Sequence, residues 1–512
     1  MLKAASIISL VNSMTKPEKK AFKLASNARD EVPHYLSLYS IIDKDKSITP
    51  DTLREKFNKE HPQSAFDSAV TYLNKVLLDI MLALRTDQDS YYSLFDKILK
   101  ARILYEKSLF EECFDLLHKV ITTARKQENY YALLIASRLE LEYLLSLNFP
   151  DIDEKTLLNK QFHVNEVMRF TQKINQQSAL YETLKLRVLN KGNIRSQQQK
   201  NELNDLVVSE MSIVASNNVE NFEIKKLHQL FQANYLISVG DYKSALHSFY
   251  ELNKLFEENK HLWSNPPVYY FSTIEGVLDT LRSLKNYEGM KYFVDKLRKL
   301  ESGSLNFDAN VTCLVFLYEL FPFLDTGDFV SCEALIKQYA DELFKKSHLL
   351  SLSRNAELSL YTALIYFGLR DYSKAQKTLS KIIFIGKSYS NLPIYRTIRL
   401  VNLMILYEKK DFDLIKYESR SIKRDMQVIG KEYKMERSVL SFVNKQSLPI
   451  SGAKRKLMWE KINKEFVDMQ HDVYEQQLAK IFDFSAWIES KIRKISLSEI
   501  LRLRTETMTS KK

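Results

Sequence analysis

Five short segments of this 512-residue chain line up without gaps. They are Gly240-Asp241-Tyr242-Lys243-Ser244-Ala245, Lys285-Asn286-Tyr287-Glu288-Gly289-Met290, Gly327-Asp328-Phe329-Val330-Ser331-Cys332, Arg370-Asp371-Tyr372-Ser373-Lys374-Ala375 and Lys410-Asp411-Phe412-Asp413-Leu414-Ile415. Their aromatic residues stand 45, 42, 43 and 40 positions apart, and a sixth copy centred on Phe110 with Cys113 lies 132 positions before Tyr242. The match extends outward. Nine residues before the aromatic stand Ala101, Ala233, Leu278, Leu320, Ala363 and Leu403. Six before stand Leu104, Leu236, Leu281, Phe323, Tyr366 and Leu406. Seven after stand Leu117, Phe249, Val294, Ile336 and Leu379, and the series fails at Ser419. Steps of three and four residues are helical-face spacings, so each copy reads as a pair of helices.

The local chemistry fits a helical hairpin. Helix A ends before the Gly-Asp or Lys-Asp dipeptide, where Gly tolerates a left-handed backbone and Asp caps the next helix. Helix B starts near the aromatic, whose ring fills the space between the paired helices. Three residues on, a small or slim side chain lets helix A approach. The next helix A restarts after breaks such as Asn265-Pro266-Pro267 and Asn391-Leu392-Pro393.

The G-D-Y-x-x-A pattern followed by an apolar residue resembles the turn and second helix of the tetratricopeptide repeat. The resemblance covers roughly residues 93–427. It departs from the family in its period, which is nearer 42 than the usual ~34 residues, and it lacks the family's early Trp and closing Pro. It implies an all-α, tetratricopeptide-like right-handed solenoid of helical hairpins. Two degenerate hairpins are expected between 129 and 235, where Asn129 to Leu147, His163 to Gln177 and Ser178 to Leu189 read as amphipathic helices. Breaks are expected at Asn148-Phe149-Pro150-Asp151 and Lys191-Gly192-Asn193.

Composition agrees with an all-α chain. Only 10 Gly and 10 Pro are present, too few for a fold rich in tight turns and hairpin loops. No run of uncharged apolar residues reaches the ~18 of a membrane helix. Met1-Leu2-Lys3 and the apolar stretch Ala4 to Val11 read as a first amphipathic helix, without a signal-peptide cleavage pattern. Cys113, Cys313 and Cys332 form neither a disulfide framework nor a zinc spacing, which points to a reducing cytoplasm.

Residues 1–92 do not carry the repeat and are expected to form an N-terminal helical cap. Its helices fall near Ala4–Val11, Lys16–Ser26, His34–Ile42, Pro50–Asn58 and Ala65–Leu84. The last pair is similar to a helix-turn-helix in order alone. Its linker, Asn58 to Ser64, is too long, and Ser64, Asp67, Ser68 and Thr71 offer no Arg to a base or phosphate.

Residues 428–512 form a second non-repeat block after the loop Gln446-Ser447-Leu448-Pro449-Ile450-Ser451-Gly452. Of the formal charge of +11, residues 1–90 hold +1, 91–420 hold +3 and 421–512 hold +7. The basic residues there include Lys454-Arg455-Lys456, Lys491, Arg493, Lys494, Arg502, Arg504 and Lys511-Lys512. The aromatic run Phe482 to Lys491 either seals the last hairpin or, with Trp487, Lys491 and Arg493, forms a docking anchor.

Recognisable catalytic chemistry is missing. The nine His make no metal spacing, no phosphate-binding glycine loop occurs, and acidic pairs such as Glu111-Glu112 fall on helix surfaces. The expected function is therefore a non-enzymatic scaffold, without a cofactor, that binds a peptide or helix of a protein partner on its concave face. In the tetratricopeptide family that face is lined by helix A. The resemblance assigns to it the positions 12, 8 and 5 before the aromatic, among them Asp279, Arg282, Phe321, Phe367, Met404 and Tyr407. The apolar members either pack against a neighbouring hairpin or form a partly exposed groove for a partner helix. The alternative is a nucleic-acid-associated regulator that uses the basic C-terminal block.

Overall fold

The computed structural model describes every residue except 1, 27–33, 192–193, 195, 216–220, 386–387, 430–432, 446–447 and 510–512. The expected break at Gly192-Asn193, the loop positions Gln446-Ser447 and the terminal Lys511-Lys512 lie outside the described residues. Among the described residues there are 26 α-helices packed in neighbouring pairs, and no strand. The all-α expectation holds.

The repeated segment is a repeated turn. In all six copies helix B starts on the aromatic itself: Phe110–Lys126, Tyr242–Glu258, Tyr287–Arg298, Phe329–Gln338, Tyr372–Ile385 and Phe412–Ile429. Two residues earlier the backbone is left-handed each time, at Ser108, Gly240, Lys285, Gly327, Arg370 and Lys410, with φ between +57° and +80°. The next N–H reaches back five residues, from Leu109 to Leu104, Asp241 to Leu236, Asn286 to Leu281, Asp328 to Phe323, Asp371 to Tyr366 and Asp411 to Leu406, at 2.9–3.0 Å. That bond satisfies a carbonyl the ending helix would otherwise leave open. The side chain of Asp241, Asn286, Asp328, Asp371 or Asp411 then accepts the N–H three residues on and caps helix B. Leu109 provides no such cap.

Packing follows the same spacing. The side chains nine before the aromatic (Ala101, Ala233, Leu278, Leu320, Ala363, Leu403) and three after it (Cys113, Ala245, Met290, Cys332, Ala375, Ile415) are all buried. The aromatic rings are half-buried, except Phe329, which is buried. The ring of Phe329 leaves no room for a Cβ on Gly368, at the end of the helix Leu352–Gly368, and Phe249 does the same at Gly276. All three cysteines are free and buried.

One expectation needs correction. His163 to Gln177 and Ser178 to Leu189 are not two helices but parts of one, Glu154–Lys191. No Gly or Pro interrupts it, and Val164, Val167, Ile174, Gln177, Tyr181 and Leu184 keep one buried stripe along it. A hairpin reading needs a turn, and nothing in this stretch supplies one. The breaks at Asn148–Asp151 and before Val268 and Pro393 fall as expected.

The chain divides into two compact units, residues 1–171 and 172–512. In the first, Ile7, Val11, Phe22, Leu38, Ile42, Leu53, Phe57 and Leu73 form one core, and the hairpin of Phe110 a second. The later repeats and the C-terminal residues share a single core in the second unit, from Tyr181 to Leu501. The helix Leu305–Thr326 is long and apolar enough to cross a membrane, yet 67% of that stretch is buried inside the protein.

Two turns carry glycine at the left-handed position and also meet the C-terminal helices. A Cβ at Gly240 would collide with Val473, and one at Gly327 would lie 2.9 Å from the backbone of Ser498, whose hydroxyl donates to the Gly327 carbonyl. Gly327→Ala is expected to cost about 2–5 kcal/mol, from left-handed strain of ~1–2 and crowding of ~1–3. Lys410→Gly, at an exposed left-handed turn, should shift stability by less than about 1 kcal/mol. Urea unfolding of the two variants measures the difference, and equal midpoints would contradict the close approach at Gly327.

Candidate functional site

The residues expected to face a partner are engaged within the chain. Phe321, Phe367 and Met404 are 2%, 4% and 0% exposed, and Tyr407 is half-buried, so they do not form a partly exposed strip. The cause is the C-terminal block and the neighbouring helices. The Arg282 guanidinium lies 3.3 Å from the centre of the Phe321 ring, and Tyr361 meets that ring edge-on at 4.9 Å. Phe367 packs against Tyr372, and the edge of Trp487 meets Tyr407 at 5.7 Å and Phe442 at 5.4 Å. Trp487 is fully buried on the helix Phe484–Arg493. Burial favours packing over a groove at Phe321, Phe367 and Met404.

The charged candidates pair with groups elsewhere in the same unit. Asp279 receives the ammonium of Lys480. Glu408 takes the Trp487 indole N–H at 2.9 Å and the Lys491 ammonium at 2.6 Å. Arg493 pairs with Glu489 at 2.6 Å, and Glu489 also accepts Arg504 at 2.5 Å. The helix-A set and the C-terminal set, expected to serve separate surfaces, meet on one internal seam.

Arg282 is the centre of that seam. Its two terminal nitrogens donate to the Tyr361 hydroxyl at 3.0 Å, Asp325 at 3.3 Å and the Lys480 carbonyl at 2.8 Å. Its Nε is buried without a partner. Asp325 also accepts Lys285 at 3.3 Å and the Tyr287 hydroxyl at 2.8 Å. Burial acts to raise the Asp325 carboxyl, but Arg282 and Lys285 outweigh it and hold the group below its ordinary range. Burial also pushes the Lys480 ammonium below its ordinary value, against the pull of Asp279. Asp325, Tyr361, Glu408 and Lys480 were not singled out in the sequence. The legible signal was an acid four residues before the repeat aromatic, ending an apolar helix A, as Asp325 and Glu408 both do.

A cavity of about 400 Å³ opens where this seam meets the C-terminal helices, within the usual range for small-molecule sites. The hairpin ends contribute Tyr242, Arg282, Lys285, Tyr287 and Asp325, and the C-terminal block contributes Phe466, Glu475, Lys480, Phe482, Phe484 and Arg504. Among the described residues, no group of three or more His, Cys, Asp or Glu is arranged to hold a metal ion.

The first unit has a different surface. On the helix Ser90–Glu106, Tyr92, Phe95, Leu99 and Ile103 follow steps of three, four and four, so they share one face opposite the buried Leu94, Ile98 and Ala101. Leu99 and Ile103 are 61% and 56% exposed. The helices packed beside it, Phe66–Gln88 and Tyr130–Ser146, also expose Leu78 and Leu82, and Tyr131 and Ile135.

No family model, curated protein or solved structure matches the chain.

Removing one member of a buried ion pair leaves the other uncompensated, at about 3–5 kcal/mol. Asp325→Asn should therefore destabilise the second unit by about that much at neutral pH. A depressed folded pKa gives stability that is present above the unfolded value, ~3.9, and lost as pH falls through the folded one. The gap between parent and variant should stay constant from about pH 5 to 7 and close below about pH 4. Denaturation midpoints across that range check the sign, and a gap widening in acid would rule out the ionised pair.

Proposed function

We propose that the chain is a non-enzymatic, tetratricopeptide-like scaffold of the cytoplasm that binds a helical segment of a protein partner. The repeated left-handed turn, its capping residues and the buried small positions support a solenoid of hairpins with helical caps at both ends. Three buried free thiols suit a reducing compartment.

The observation that carries the binding role is the pair of exposed apolar side chains Leu99 and Ile103 on Ser90–Glu106, continued along the same face by the half-buried Tyr92 and Phe95. A helix uses anchors at that spacing to lie against a second helix. The partner surface is placed there rather than on Phe321, Phe367 and Met404, whose burial leaves nothing for a partner to touch. The nucleic-acid alternative is weakened by the ion pairs of Lys480, Lys491, Arg493 and Arg504. It retains Lys454, Lys456, Lys461 and Lys464 on the helix Gly452–His471, for which no ion pair is present among the described residues.

Leu99→Asp combined with Ile103→Asp should abolish capture of the partner while leaving helicity and melting unchanged, since exposed sites leave no cavity. Affinity capture at low and high salt, read by mass spectrometry, tests this. Retention of the same proteins by the double variant would refute the stripe. Partners that leave with rising salt, and that include nucleic acid, would favour the basic helix instead.

A further inference from the structure

The second helices of the last two copies differ in charge from the rest. In the first four copies acids and bases nearly balance, at three and three in Phe110–Lys126, three and two in Tyr242–Glu258, two and three in Tyr287–Arg298, and one and one in Phe329–Gln338. Tyr372–Ile385 carries three Lys and no acid. Phe412–Ile429 carries four bases and three acids, but Arg399 of the helix between them takes Glu418 and Asp425, at 2.9 and 2.6 Å. Asp371 is held by Lys374, Glu408 by Lys491, and Glu333 of the preceding copy by Lys337. Asp411 and Asp413, the remaining acids of residues 370–426, are matched in number by Lys409 and Lys410. Lys377, Lys381, Lys416, Arg420, Lys423 and Arg424 are exposed and make no ion pair among the described residues.

Helical spacing gathers these cations into stripes. Lys377, Lys381 and Phe384 follow steps of four and three, opposite the buried Ala375, Leu379 and Ile382. Tyr417, Arg420 and Arg424 follow steps of three and four, opposite the buried Ile415, Ile422 and Met426, with Lys416 and Lys423 on the flank. Both helices pack on Pro393–Glu408, and Lys409 at the turn before the second donates to Gln376 of the first at 2.6 Å, which brings the two stripes alongside. Apolar side chains stand among the cations. Phe384 is 87% exposed, Tyr417 71%, Ile385 57% and Leu414 47%.

Six like charges without partners repel one another and favour a polyanion. A nucleic-acid backbone would match the charge but offers nothing to Ile385 or Leu414. An anionic bilayer surface meets both features. Its headgroups take the Lys and Arg side chains, the acyl boundary takes Phe384, Ile385 and Leu414, and Tyr417 suits the level of the headgroups. We propose that this face docks on the surface of a bilayer containing anionic phospholipid, as a peripheral contact. The contact involves the second unit alone and does not depend on the partner-binding reading.

The test is flotation of the full chain with vesicles of phosphatidylcholine alone and of equal parts phosphatidylcholine and phosphatidylserine. The chain should float with the anionic vesicles only, and less so as salt rises. Each cation removed near such a surface should weaken binding about fivefold, so Lys377→Gln with Lys381→Gln should weaken it about 25-fold. Phe384→Ser should weaken it by at least about tenfold, the worth of burying one ring. These positions are exposed, so the circular-dichroism spectrum and melting temperature should match the parent. Lys454→Gln with Lys456→Gln removes the same charge from the helix Gly452–His471 and should leave flotation unchanged. No flotation with anionic vesicles, or equal flotation with neutral ones, overturns the proposal. An equal loss in the Lys454 and Lys456 variant overturns it in favour of the net charge of the chain. Parental binding by Phe384→Ser overturns it in favour of a polyanion such as nucleic acid.

Discussion

A helix that must reverse within a few residues needs one residue in the left-handed region and a partner for the carbonyls it leaves open. This chain meets the requirement the same way six times, with a left-handed residue, a bond back across five positions, and in five copies an Asp or Asn cap. Everything else in the repeats depends on that turn. It sets where helix B begins, and so which side chains, nine before and three after the aromatic, are pressed between helices. Lys285, Arg370 and Lys410 tolerate the left-handed strain at exposed turns. Gly240 and Gly327 stand where another helix touches the turn itself.

The C-terminal block is part of the second unit's core, not a strand of chain laid over it. Trp487, Phe484, Ile488 and Ile492 are each 1% exposed or less. Displacing them would expose several large side chains, each worth roughly 1.5–3 kcal/mol on burial. That magnitude argues against a peptide that leaves to admit a partner. It also explains the fate of the basic residues, since Lys480, Lys491 and Arg504 neutralise carboxylates on the seam. A formal charge concentrated in one segment had suggested an external polyanion, yet much of it meets acids elsewhere in the same unit.

Sequence reading worked best where the determinants were local. The −9 and +3 positions were assigned from spacing alone, and all twelve are buried. The aromatic was placed at the start of helix B, and every helix B begins on it. Reading was poorer for Glu154–Lys191, where two adjacent amphipathic patterns share one phase and only the absence of Gly and Pro between them marks a continuous helix. For the inner positions it left packing and groove open. Phe321, Phe367 and Met404 have the same spacing whether a groove or a neighbour faces them, and an apolar side chain carries no mark of what will cover it.

The sequence by itself determined that the chain is helical and where its hairpins turn. Those outcomes depend on left-handed positions, caps and helical spacing, all within a few residues of one another. Tertiary structure alone decided which surfaces remain open. Arg282 donates to the carbonyl of Lys480, 198 residues away, and Glu408 meets Trp487, 79 away. Contacts at such separations arise from how helices assemble, and no local pattern encodes them. Leu99 and Ile103 are exposed and Phe321 and Met404 buried because a neighbouring segment reaches one set and not the other.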